Sequence, residues 1–131
     1  MEKLRIVIER SKDYFDAYAE SCEGVYGAGA TVAEAKQNVM EAIELLKAHS
    51  TNVPDILKGE YSVEYIFDTQ SFLSHYSTIF TMAALERMTG IDQRQISRYS
   101  SGLRRPRKAQ VAKFNSAIRV LSQELSQVEF C

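Results

Sequence analysis

Hydrophobic and polar residues alternate from the start of the chain. Leu4, Ile6 and Ile8 fall on one side of residues 4–8, Arg5 and Val7 on the other. That period of two predicts a strand with one buried face. Ser11-Lys12-Asp13 reads as a turn. Residues 14–22 then alternate again, with Phe15, Ala17 and Ala19 opposing Asp16, Tyr18 and Glu20. A second turn at Glu23-Gly24 leads to a short third strand over residues 25–28, ended by Gly29, so the first three elements read as a meander. The period then changes. Thr31 stands three residues before Glu34, a capping box, and Val32, Ala35, Val39, Ala42, Ile43 and Leu46 form one face of a helix running to about His49. Residues 50–60, with Pro54 and Gly59, read as loop, and residues 62–67 as a fourth strand. Residues 1–68 are therefore expected to form a β-β-β-α-β domain of the α+β class, one sheet with one helix on a face.

From residue 69 only helical patterns occur, and residues 69–131 are expected to form a second, all-α domain. Residues 70–80 are a short helix in which Phe72, Leu73, Tyr76 and Phe80 can pack. Thr81 can cap a helix over 82–89 that Gly90 ends; Asp92 can cap one over 93–100 that Gly102 ends. Pro106 opens a last helix. Its Val111, Phe114, Ile118, Leu121, Leu125 and Val128 recur at alternating spacings of three and four, a seam that suits either a partner helix or the core of its own domain.

Charge sharpens this division. Residues 1–68 carry 7 Lys/Arg and 13 Asp/Glu, a net of −6, whereas residues 69–131 carry 9 and 4, a net of +5. Between Arg87 and Arg119 there are nine basic residues and one acid, Asp92. Such a segment attracts a polyanion, and a nucleic acid backbone is the obvious one. No apolar run approaches the roughly 18 residues needed to span a bilayer, and the opening MEKLRIVIER lacks a signal-peptide core. Cys22 and Cys131 make neither a disulfide framework nor a zinc quartet. A cytoplasmic chain without membrane partners is expected.

Within the basic half, TMAALERMTGIDQRQISRYSSG (residues 81–102) has the helix, glycine turn and capped second helix of a helix-turn-helix. Leu85, Met88, Ile91, Ile96 and Tyr99 are spaced to face inward. Gln93, Arg94, Ser97 and Arg98 are left facing outward, and these side-chain types read base edges, Arg pairing with guanine and Gln with adenine. Gln95 is expected to close a reciprocal cap with Asp92 rather than read a base. Arg104, Arg105, Arg107 and Lys108 follow, placed to contact phosphates and position the protein without reading sequence. No phosphate loop, nucleophile–base pair or zinc spacing is found, so neither enzyme activity nor a cofactor is expected. His49 and His75 have no carboxylate-rich spacing around them in the sequence and read as exposed or packing histidines rather than catalytic or metal-binding ones. Asp13, Asp16, Glu20 and Glu23 read as a solvated edge rather than a metal cluster, because Mg²⁺ chemistry needs carboxylates converging from several elements.

Two resemblances gather these features. Thr89-Gly90-Ile91, Ile96-Ser97-Arg98-Tyr99 and the stretch from Gly102 to Pro106 resemble the Xre/Cro-type repressor helix-turn-helix. That resemblance puts base reading on Gln93, Arg94 and Arg98. In that family a small residue usually follows the central Leu of the first helix; here it is Glu86. The acidic half resembles the N-terminal domain of HicB-family antitoxins, through Gly24 and Gly29 followed by Thr31-Val32-Ala33-Glu34-Ala35. The aromatic-Pro-Asp-x-x-G signature usual there is replaced by Glu20-Ser21-Cys22-Glu23-Gly24. Together the resemblances imply an antitoxin. Its N-terminal domain would be a reduced RNase H-like fold without nuclease activity that binds a HicA-like, mRNA-cleaving toxin. Its C-terminal domain would bind double-stranded operator DNA, as a homodimer or higher oligomer. A stand-alone regulator with a ligand-sensing N-terminal domain, or an enzyme retaining RNase H-like activity, are the rival expectations.

Overall fold

A computed structural model describes residues 1–49 and 51–131. Among the described residues the chain is α+β, with a four-stranded mixed sheet and six helices, and it divides into two compact units, Met1–His75 and Tyr76–Cys131. Among the described residues no helix is long and apolar enough to cross a membrane.

The first unit is built on β1 (Glu2–Arg10), β2 (Phe15–Ala19), β3 (Tyr26–Gly29) and β4 (Tyr61–Phe67), in the order β3-β2-β1-β4. The first three are antiparallel neighbours, and β4 returns parallel to β1 with Leu4 opposite Val63 and Ile6 opposite Tyr65. A parallel return needs a long crossover, and it is supplied by α1 (Val32–His49) and the one-turn α2 (Asp55–Lys58). Alternation sets the core. Leu4, Ile6, Ile8, Phe15, Ala17 and Ala19 point to one side of the sheet and meet Val32, Ala35, Val39 and Ile43 of α1. Each fully buried aliphatic side chain there contributes about 1.5–3 kcal/mol. Two glycines let the helix sit close. A Cβ on Gly27 would lie 2.4 Å from Val39 N, and one on Gly29 2.5 Å from Glu34 Cβ. Gly29 is thus a contact residue inside β3 and not only its end.

The cap at Thr31 forms with a shift. Thr31 Oγ1 accepts from Glu34 N at 3.1 Å, as expected, but Glu34 Oε2 accepts from Ala30 N at 2.8 Å, one residue earlier than a capping box predicts. Residues 50–60 are not all loop. Pro54 precedes α2, whose Leu57 is buried in the core; a single turn is too short to show a period. Ser50 lies outside the described residues.

The boundary between units also falls later than residue 68. α3 (Thr69–Tyr76) belongs with the sheet for all but its last residue, because Asp68 ties it there. Asp68 N donates to Ile8 O at 3.0 Å, one carboxylate oxygen accepts from Arg10 N at 3.2 Å and the other from Ser71 N at 2.9 Å, the α3 cap. Phe67 adds ring contacts to Phe72 (6.2 Å) and His75 (6.3 Å). α3 stops at Tyr76, short of the expected residue 80, and the chain turns through Ile79 and Phe80, whose N–H groups donate to Tyr76 O.

The second unit contains α4 (Met82–Thr89), α5 (Gln93–Ser101) and α6 (Lys108–Leu125). Leu85, Ile91, Ile96, Tyr99, Phe114 and Ala117 are buried, and Met88 is half-buried. Tyr99 meets Phe114 edge-on at 6.4 Å, joining α5 to α6. The α6 seam divides. Phe114 is buried, Ile118 and Leu121 are half-buried, and Val111, Leu125 and Val128 are exposed, so its middle serves the unit's own core.

Candidate nucleic-acid interface

Local chemistry builds α4, the glycine turn and α5 on the caps expected at Thr81 and Asp92. Thr81 Oγ1 accepts from Ala84 N at 3.0 Å and caps α4, and Gly90 ends it at φ 75°, a left-handed conformation that favours glycine. Thr89 braces the turn: its hydroxyl donates to Leu85 O at 2.7 Å and accepts from Ile91 N at 3.1 Å. Asp92 Oδ1 accepts from Arg94 N at 2.8 Å and starts α5, and Gly102, at φ 81°, stops it. Arg104 N then donates to Arg98 O at 3.2 Å, which fixes where the basic segment leaves α5.

This framework aims the candidate residues. Ile96 and Tyr99 are buried, at 0% and 2% exposure, and they set the rotation of α5. Gln93, Arg94, Ser97 and Arg98 all lie exposed on the opposite side. Arg104, Arg105, Arg107 and Lys108 are exposed as well. Arg104, Arg105 and Arg107 line a hollow of about 430 Å³ together with Gln95, Tyr99 and Gln110. α6 begins beside it with Arg107 as its cap residue, no side-chain cap and no acid in its first turn. That helix end carries partial positive charge and adds to the arginines.

The charges are unopposed. Arg87, Arg94, Arg98, Arg104, Arg105, Arg107, Lys108, Lys113 and Arg119 are all exposed, and among the described residues none pairs with a carboxylate. All four ion pairs there, Lys3–Glu64, Arg5–Glu20, Lys47–Glu44 and Lys58–Asp55, lie in the first unit. Exposed pairs of that kind contribute little to stability. Their distribution is the informative part, because cations left unpaired on one unit remain available to an external anion.

Two residues behave differently from expectation. Gln95 does not close a cap with Asp92. Its Nε2 donates to Tyr99 Oη at 3.1 Å, and its Oε1 accepts from Arg98 at 3.4 Å, so it steadies two neighbours one turn along. The second is Glu86, which the sequence marked only as a departure from a small residue. Glu86 reaches across from α4: Oε2 accepts from Gln93 N at 3.0 Å and Oε1 from Gln93 Nε2 at 3.3 Å. An acidic side chain facing a helix cap was the available signal, but only packing shows that it reaches.

In the first unit the acidic edge is engaged by neighbours rather than gathered. Asp16 accepts from Tyr26 Oη at 2.7 Å and from the Ser11 hydroxyl, and Glu20 pairs with Arg5 at 3.4 Å. The hydrogen bond to Asp16 pushes the Tyr26 hydroxyl pKa up, as the bond to Glu9 does for Tyr18. Burial raises the Cys22 thiol. Lys36 lies 4.3 Å over the Tyr65 ring and 5.4 Å over that of Phe67, and burial pulls its pKa down. His75 is pulled down too, by burial first and by the Lys36 charge second.

No protein-family model, no curated protein and no solved structure matches this chain.

Proposed function

We propose that the chain is an antitoxin of the HicB kind that also represses its own operon. The second unit binds double-stranded operator DNA as a homodimer. The N-terminal half of α5 enters the major groove, Gln93, Arg94, Ser97 and Arg98 read bases, and Arg104, Arg105, Arg107 and Lys108 grip phosphates. The first unit, read as a reduced RNase H-like domain without nuclease activity, captures a small, basic, HicA-like mRNA-cleaving toxin. The observation that carries the DNA reading is the four-residue polar row on α5, held outward by buried Ile96 and Tyr99 amid cations that, among the described residues, have no carboxylate partner. The capture reading is supported by the net charge of −6 on residues 1–68. Opposite charge speeds encounter with a basic partner, and covering that partner's RNA-binding surface would silence it.

The test has two arms. Selection of randomised duplexes on the full chain should return inverted repeats whose half-sites are about 34 Å, one helical turn, apart. Recovery of no common sequence would refute operator binding. Co-expression with the product of an adjacent reading frame encoding a short basic protein should restore growth and give a stable complex. Growth arrest despite full expression of the chain would refute capture.

A further inference from the structure

We infer that Glu86 is the residue that sets base choice at the front of α5, without itself touching DNA. The inference rests on the DNA reading above and deepens it. Glu86 comes from α4 and holds Gln93 twice, by its backbone N–H at 3.0 Å and by its side-chain amide nitrogen at 3.3 Å. A carboxylate only accepts hydrogen bonds, so the NH₂ end of the Gln93 amide must face Glu86. Among the described residues this leaves the Gln93 oxygen and one amide hydrogen uncommitted, both on an exposed side chain.

One acceptor and one donor match adenine, which offers an N6 amino donor and an N7 acceptor in the major groove. Guanine offers two acceptors there, N7 and O6, and needs two donors. An untethered glutamine can turn both amide hydrogens toward guanine. Gln93 cannot, because one of them is held by Glu86. The tether therefore favours adenine over guanine at the base pair that Gln93 reads.

Glu86 also changes what the start of α5 can do. Its bond to Gln93 N and the Asp92 bond to Arg94 N occupy the first two backbone donors of α5. Those are the groups with which a helix N-terminus would otherwise hold a phosphate. Backbone gripping is thus left to the segment after α5, and the front of α5 is left to base reading. Glu86 is a positioning residue whose effect appears as specificity.

The experiment uses the full chain and its selected duplex. Gln93→Ala first identifies the base pair at which preference is lost. At that pair the wild-type protein should prefer adenine over guanine by roughly tenfold or more, the discrimination expected of a bidentate contact. Glu86→Ala should reduce that preference to about twofold or less while leaving the other positions of the site unchanged. Glu86→Gln fills the same space but can turn either an oxygen or an NH₂ toward Gln93, so it should relax the same position. It decides the matter if the alanine variant fails to fold. Retained adenine preference in the folded variants would overturn the inference. So would an equal loss of affinity on every sequence, which would make Glu86 a cap and nothing more. A wild-type protein with no sequence preference at all would overturn the DNA reading and this inference together. The wild-type arm separates that outcome from the others.

Discussion

Gly27→Ala tests how the sheet and its helix are fitted together. The added methyl would lie 2.4 Å from Val39 N, 2.7 Å from Asn38 C and 2.8 Å from Val39 Cα. All three are backbone atoms of α1, so no rotamer change relieves the contact. Reaching an ordinary separation of 3.4 Å needs a shift of about 1 Å between α1 and β3. Overpacking of this kind costs about 1–3 kcal/mol, and a backbone clash belongs at the upper end. Alanine in a strand recovers roughly 0.5–1 kcal/mol of chain entropy. The net expectation is a loss of about 2–2.5 kcal/mol, a large share of the roughly 5–10 kcal/mol that stabilise a small domain. At about 4–8 °C per kcal/mol for this size, the transition of the first unit should fall by about 8–20 °C. Thermal unfolding of the full chain by circular dichroism reads this directly. Gly59→Ala is the control, since nothing lies within 4 Å of its Cβ position and its φ of −105° suits alanine. It should be neutral or slightly stabilising. If Gly27→Ala melts within about 3 °C of the wild type, the close helix-on-sheet contact is refuted.

Further outcomes concern the second unit and one histidine. Arg98→Ala should cost about 1–3 kcal/mol on the selected duplex and relax one base position; uniform weakening on all duplexes would assign Arg98 to phosphate instead. Arg104→Ala should weaken all duplexes evenly and reduce the salt dependence of log K by about one unit, and an unchanged slope in a salt titration would contradict a phosphate contact. Asp92→Ala removes the α5 cap at Arg94 N and should cost about 1 kcal/mol in urea unfolding without DNA. His75 has its pKa lowered by burial and by Lys36, so the unfolded chain takes up that proton more readily. The first unit should therefore lose stability as pH falls below about 6.5, and His75→Gln should flatten that slope between pH 7.5 and 5.5. An identical slope in the variant would show that His75 is not its source.

Much of this architecture is legible along the chain because its causes are local. Period-two alternation at Leu4, Ile6 and Ile8 needs only one buried face, and the N-caps Thr81 and Asp92 satisfy donors within three residues. Gly90 and Gly102 follow from the left-handed turns that end α4 and α5. The outward row Gln93, Arg94, Ser97 and Arg98 follows from helical spacing once Ile96 and Tyr99 are taken as core. What escaped detection depends on distant partners. Nothing near Thr69 says that α3 stays with the sheet, because Asp68 anchors it through Ile8 and Arg10, far earlier in the chain. Gly29 looks like a strand end until α1 is placed against it.

The sequence by itself determined the four strands, the longer helices α1, α4, α5 and α6, the N-caps Thr81 and Asp92 and the separation of acidic from basic charge, since these are properties of neighbours in the chain and of composition. Tertiary structure alone decided how closely α1 lies on β3, which unit holds α3, and that Glu86 spans the turn to bind Gln93. Each of those is a contact between atoms brought together only by packing, where separations of a few tenths of an ångström decide whether a bond forms or a side chain fits.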